Sequence, residues 1–202
     1  MSIIDTKKTI SQGKAVSMST VTVSQVKGSM LVTFVKAIKA DKTGTCKKLL
    51  TDEDKEIISK LILATKWYPF ETYKNCFKAV CKVNAGNNPE MLRQWGRLAG
   101  EETMTNIYKT VLNRKDAASA LSAFQTVVKN VYDSIKIEKT MLSDNEVMIT
   151  ISEFDPDFQE WYLIGLGWIE RTIELVIKKA VKSQIIEKSW LGAPATVFKM
   201  SW

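Results

Sequence analysis

Few residues in the 202-residue chain have the types and spacing for chemistry. Histidine is absent, so no His base, His metal ligand or His-ligated haem can be assembled. A nucleophilic centre would have to work through Lys or a carboxylate instead. Carboxylates pair at Glu101-Glu102 and at Asp155/Asp157. Both pairs fall near expected helix ends or exposed faces, where capping and solvation account for them. Cys46, Cys76 and Cys81 form no CxxC. Cys76 and Cys81 would sit on one helix about 140° apart, which makes them poor co-ligands for one metal and better read as buried thiols. Gly165-Leu166-Gly167 lacks the third glycine of a dinucleotide fingerprint, since Glu170 stands there, and no strand-to-helix turn precedes it. No P-loop, EF-hand loop or HExxH is present. No catalytic residue, metal site or cofactor is therefore assigned, and an enzyme is not expected.

Aromatic residues are the informative class. The chain holds 6 Trp, 5 Tyr and 7 Phe. Trp67, Tyr68, Phe70, Tyr73, Trp95, Trp161, Tyr162 and Trp168 could line an apolar pocket with a few polar tips, the usual form of a small-ligand site. The same residues could equally fill a large core, because the two look alike in a sequence.

Net charge is +7, with all of the excess in the first quarter. Residues 1–50 hold nine Lys against Asp5 and Asp41, and the remainder is neutral. These lysines are scattered and no Arg lies among them. Arg is the better base reader, so nucleic acid is not an expected partner, although a basic segment could touch an anionic surface or simply be solvated. An odd cysteine count, and no apolar signal core, suggest a reducing, cytoplasmic setting. The longest apolar run, Trp161 to Ile169, is far short of the roughly 20 residues a membrane span needs.

The elements that must position the aromatics follow from periodicity. Residues 1–25 read as a basic flexible tail, with a short strand at Thr20–Val23. Leu31, Phe34, Val35 and Ile38 start a helical stripe. Thr51 and Asp54 form a capping-box pattern for a second helix. Trp67-Tyr68-Pro69-Phe70 breaks it, Pro69 opens a third, and Ala85-Gly86-Asn87 stops that one. Asn88-Pro89 starts a fourth running to about Leu112, with Gly96 and Gly100 on one face, best read as helix packing. Asp116 caps a fifth. The period then changes to two: 135–138 and 147–151 read as a hairpin around Ser143-Asp144-Asn145. Asp155-Pro156 caps a long helix to about Lys182, apolar nearly all round its first half and so buried on most sides. A second hairpin, Ser183–Trp190 and Thr196–Trp202, closes the chain. Residues 26–202 are therefore expected to form a single α+β domain. N-terminal helices would pack on a four-stranded antiparallel sheet made of two hairpins separated by the long helix (ββαββ).

Several segments resemble a bacterial paralogous family expanded in Myxococcales. They are Val26-Lys27-Gly28-Ser29, Trp67-Tyr68-Pro69-Phe70-Glu71-x-Tyr73, Leu92-x-x-Trp95-Gly96-Arg97, Tyr132-Asp133-Ser134 and Ala195–Trp202. That family is similar to the 4-vinyl-reductase-like and haem–nitric-oxide-binding-like ligand domains. The resemblance implies a sensory fold in which a small apolar ligand, or haem, binds between helices and sheet, and it implies a homodimer. Two departures matter. The haem branch needs a proximal His that this chain lacks, and the zinc-binding cysteines of the 4-vinyl-reductase-like sensors are not reproduced by Cys76 and Cys81. The expectation is a non-enzymatic cytoplasmic sensory module with a small apolar ligand between the long helix and the sheet. The alternatives are a protein-interaction adaptor without ligand, or a binder of nucleic acid or an anionic surface.

Overall fold

The computed structural model describes residues 23–113 and 116–202. Almost all of the expected tail, and the Thr20–Thr22 part of the expected strand, lie outside the described residues. Strand β1 (Gln25–Lys27) instead pairs antiparallel with β2 (Trp67–Pro69). Each strand runs directly into a helix, β1 into α1 (Gly28–Ala40) and β2 into α4 (Phe70–Ala85). This two-stranded clip fixes both helix starts side by side. Gly28 is required there: its N–H donates to the Lys66 carbonyl at 2.8 Å, and a Cβ would lie 2.2 Å from the Leu63 carbonyl oxygen.

Between the strands lie the single-turn α2 (Thr45–Lys48) and α3 (Asp52–Ser59). The capping box forms: Thr51 Oγ1 accepts from Asp54 N and Asp54 Oδ2 accepts from Thr51 N, each at 3.1 Å. The same buried carboxylate accepts from Asn75 Nδ2 at 2.9 Å, tying α3 to α4. Asn88 caps α5 (Pro89–Asn106) through a 3.1 Å bond from Met91 N. That helix does not run to Leu112. It ends at Asn106, where the Ile107 and Tyr108 amides both turn to the Thr103 carbonyl, and α6 (Lys109–Leu112) follows as a separate turn. Asp116 caps α7 (Ala117–Val131).

The four-stranded sheet has the expected composition. Strands β3 (Lys136–Ser143), β4 (Glu146–Ser152), β5 (Lys182–Glu187) and β6 (Thr196–Ser201) pair antiparallel throughout in the order β3-β4-β6-β5. Val147, Ile149 and Ile151 of β4 and Thr196, Phe198 and Met200 of β6 form its buried face. Between the hairpins runs α8 (Gln159–Ile177), shorter than expected at both ends. At its start, Asp155 Oδ1 accepts from Asp157 N at 2.8 Å in a local turn, so the helix begins past Phe158. At its end, Lys178 takes the left-handed conformation (φ 59°), which breaks the helical ladder.

Helices α5 and α8 form the tightest contact in the fold, and glycine permits it. A Cβ on Gly96 would sit 1.9 Å from the Ile164 carbonyl oxygen, and one on Gly167 would sit 2.0 Å from that of Arg93. A Cβ on Gly100 would lie 2.8 Å from the Trp168 carbonyl oxygen. Beside this seam lies an ion cluster that the sequence reading missed. Glu170 has a side chain 0% exposed and receives Arg93 at 2.7 Å and Arg97 at 3.3 Å, together with the Ser183 hydroxyl of β5. Arg97 also reaches Glu174 at 2.6 Å, and Arg171 bridges Glu174 and Glu101 at 3.3 and 3.0 Å. Arg93/Arg97 and Glu170/Glu174 are each i,i+4 pairs, which places both members on one helix face.

Two tests follow from this seam. Gly96→Ala and Gly167→Ala should each lower unfolding free energy by about 1–3 kcal/mol or more, since backbone cannot yield to the added methyl. Gly165→Ala, whose Cβ would meet only a Trp161 ring atom at 3.9 Å, should be neutral or stabilising by up to about 1 kcal/mol through helix propensity. Urea unfolding of the three variants separates these outcomes. Glu170→Ala should cost about 3 kcal/mol in the same assay, because two guanidinium groups lose a desolvated partner.

Candidate ligand-binding cleft

A cleft of about 350 Å³ opens between five helical segments. Its walls are the same-face stripes that helical periodicity generates. From α7 come Phe124, Val127, Val128 and Val131, and from α8 Trp161, Ile164, Gly165 and Trp168, both at i, i+3, i+4, i+7. Helix α1 supplies Met30, Thr33 and Phe34, α4 supplies Tyr73 and Phe77, and α5 supplies Ala99, Glu102 and Thr103. Gly165 is what leaves room on the α8 wall, since a Cβ there would meet ordinary contact distance at most. The deep wall is buried and aromatic, whereas Ser29, Thr33, Ala99 and Glu102 are exposed at the mouth. A larger depression of about 630 Å³ lies near the β3–β4 turn, but it is a surface hollow that includes Asp116, Asp144 and Lys179.

The deep wall carries one polar group of residues. Trp161 Nε1–H donates to the Tyr132 hydroxyl at 2.7 Å, and the Tyr132 and Tyr73 hydroxyls lie 2.9 Å apart. All three residues line the cleft. Burial pushes the Tyr73 hydroxyl well above the ordinary tyrosine pKa, with Tyr132 adding to the effect. Burial likewise raises Tyr132, against the opposing pull of its hydrogen bonds with Tyr73 and Trp161. Both therefore stay neutral donors at physiological pH. Behind them Phe70 packs edge-on against Phe154 and Phe158, with centroids 5.5 and 5.9 Å away.

Of the eight aromatics singled out from the sequence, Tyr73, Trp161 and Trp168 line this cleft. Phe70 sits in the aromatic cluster behind Tyr73. Tyr162 turns the other way, its hydroxyl donating to the Asp155 carbonyl at 3.2 Å and its ring meeting Trp190. Trp67 on β2 is 38% exposed beneath Lys27 Nζ, and Tyr68 accepts from the Leu63 amide at 2.8 Å. Trp95 is half-buried against the core from α5. Phe34, Phe77 and Phe124, none of them among those eight, complete the wall; the signal available for them is their position in helical apolar stripes. The lining contains no strand residue, so this cleft is not the space between the long helix and the sheet that the sequence pointed to. The three cysteines are buried and free, with burial raising the Cys76 and Cys81 thiols to about 12. Among the described residues no cluster of metal-ligand types occurs and no helix is long and apolar enough to cross a membrane.

With the fold and cleft defined, solved structures supply a comparison. An Fe(II) unliganded H-NOX protein from K. algicida matches with TM-score 0.60 at 13% identity, covering 87% of this chain and 95% of that one. An H-NOX protein from S. oneidensis in the Fe(II)NO ligation state matches with TM-score 0.60 at 12% identity, covering 87% of this chain and 98% of the other. A point mutant of the T. tengcongensis H-NOX matches with TM-score 0.56 at 15% identity, over 87% and 96%. The chain thus has an H-NOX-like fold, in agreement with the haem–nitric-oxide-binding-like part of the sequence resemblance. No protein-family model and no curated relative matches the sequence.

The cleft lining does not fit haem. It holds no His, its two tyrosines are bonded to each other and held neutral, and Met30 is its remaining side chain of an iron-ligating type. The charged group in the lining is the Glu102 carboxylate, which would repel the propionates of haem.

The raised hydroxyls give a test with a defined sign. A folded-state pKa above the unfolded one contributes stability that is full below about pH 10 and is lost as pH rises toward the folded value. In an alkaline titration, tyrosinate absorbance from Tyr73 and Tyr132 should appear only together with loss of helical circular dichroism, and Tyr73→Phe should remove one late-titrating group. Tyrosinate formation from both residues in a still-folded protein would contradict the buried placement.

Proposed function

We propose that the protein is a non-enzymatic sensory module that takes a small, uncharged, largely apolar ligand into the helix-walled cleft. The observation that carries this reading is the cleft itself: about 350 Å³, within the usual range for small-molecule sites, with four helix stripes of aromatic and aliphatic side chains and a single polar group of residues on its deep wall. The H-NOX-like fold supports a sensory role by analogy. Occupancy would alter the spacing of α1 and α7 against the rigid α5–α8 seam. It would be read out through a partner or a second copy of the chain. The outer face of α5 favours such a contact, with Met91, Trp95 and Leu98 at i, i+4, i+7 and Leu98 68% exposed. Buried free thiols fit the cytoplasmic location expected from the sequence.

Indane is a suitable probe, an uncharged bicyclic hydrocarbon that matches an aromatic wall. Its titration should give a saturable change in tryptophan fluorescence, because Trp161 and Trp168 line the site. It should also raise the melting temperature, with stabilisation of about 2.7 kcal/mol at a hundredfold excess over Kd. Gly165→Leu, which extends side-chain carbons into the same space, should remain folded and lose both responses. A linear, non-saturating fluorescence change that is unaltered in Gly165→Leu would contradict the reading.

A further inference from the structure

The polar residues on the deep wall have one hydrogen to spare. Trp161, Tyr132 and Tyr73 bring one N–H and two O–H groups, and they make two mutual hydrogen bonds. Among the described residues neither hydroxyl has any other hydrogen-bond partner. One O–H is therefore left without an acceptor in a buried setting, a costly arrangement that native structures usually resolve. Which hydrogen is left over follows from polarisation. Donation by Trp161 to the Tyr132 oxygen makes the Tyr132 O–H a better donor, so the cooperative order is Trp161 to Tyr132 to Tyr73. The chain then ends on the hydroxyl of Tyr73, a residue of the cleft lining. Charge narrows the ligand further. Among the described residues no Lys or Arg lines the cleft, and Glu102 stands at its mouth, so an anion finds no partner there, while the deep wall offers a cation no carboxylate.

We infer that the ligand is an uncharged molecule of about bicyclic size carrying one hydrogen-bond acceptor, most simply a ketone or aldehyde carbonyl, which accepts from Tyr73 at the end of the Trp161–Tyr132–Tyr73 chain. This rests on the cleft being the ligand site and adds the functional group that the ligand must bear.

The test compares 1-indanone with indane, which differ by the carbonyl, on the full chain. 1-Indanone should bind about five- to tenfold more tightly than indane, and the carbonyl stretch of the bound ketone should fall below its frequency in hexane. Indane-1-carboxylate should not bind. Tyr73→Phe keeps the ring that packs against Phe77 and removes the end of the chain. It should remove the roughly five- to tenfold preference for the ketone over indane and move the carbonyl band toward its hexane position. If indane binds but the ketone binds more weakly with an unshifted band, or if Tyr73→Phe leaves preference and band unchanged, the acceptor assignment is wrong while the cleft reading stands. If neither molecule binds, both fall.

Discussion

The fold depends on the contact between α5 and α8. Two helix backbones meet there with almost nothing between them, because Gly96 and Gly167 present hydrogen where any other residue would place carbon. Close approach brings Glu170 into complete burial, and a buried carboxylate is tolerable only when its oxygens are fully engaged. Arg93, Arg97 and Ser183 engage them. The seam therefore combines steric necessity with electrostatic necessity. Small residues allow the approach, and the ion cluster penalises any register but this one. Ser183 belongs to β5, so the same carboxylate also links the helix pair to the edge of the sheet.

The cleft is a consequence of that seam. The α8 residues that line it, from Trp161 to Trp168, overlap the stretch whose carbonyls touch Gly96 and Gly100. The distance between α5 and α8 thus sets one dimension of the opening, and the β1–β2 clip sets another by fixing the starts of α1 and α4. One glycine of α8, Gly167, closes the helix seam, and its neighbour two residues earlier, Gly165, keeps the cleft open. A motif rejected as a nucleotide fingerprint proves to serve packing on one side and space on the other. The same aromatic-rich composition that allowed either a solid core or a pocket supplies both: Phe70, Phe154 and Phe158 are packed core, and Tyr73, Trp161 and Trp168 face the opening.

Much of this was legible in the residues. Thr51/Asp54, Asn88-Pro89 and Asp116 marked helix starts because capping is a local hydrogen-bond requirement. The hairpins were visible because their alternation is local too. What escaped notice depended on partners distant in the chain. Strand β1 is three residues long and pairs with a segment read only as a helix break. The Arg93/Arg97 and Glu170/Glu174 pairs carry a visible i,i+4 spacing, but solvated helix faces show that spacing as often, and nothing in the chain indicated that the two faces meet. The ends of α8 were misplaced because Asp155 serves a turn instead of the helix cap, and because Lys178 adopts a backbone conformation its identity does not announce. The cleft lies among helices instead of against the sheet for a related reason: apolar stripes such as those of α1 and α7 have the same pattern whether they meet or not, and only the tertiary arrangement leaves a gap between them.

The gap between α1, α7 and α8 is an accessible, apolar space. A crystal of the protein pressurised with xenon tests it directly, since xenon enters apolar cavities without needing a polar anchor. A xenon site is expected beside Gly165, between Phe77, Phe124 and Trp161. A structure in which Phe34 or Trp168 has swung in to fill that space, with no xenon bound there, would contradict it.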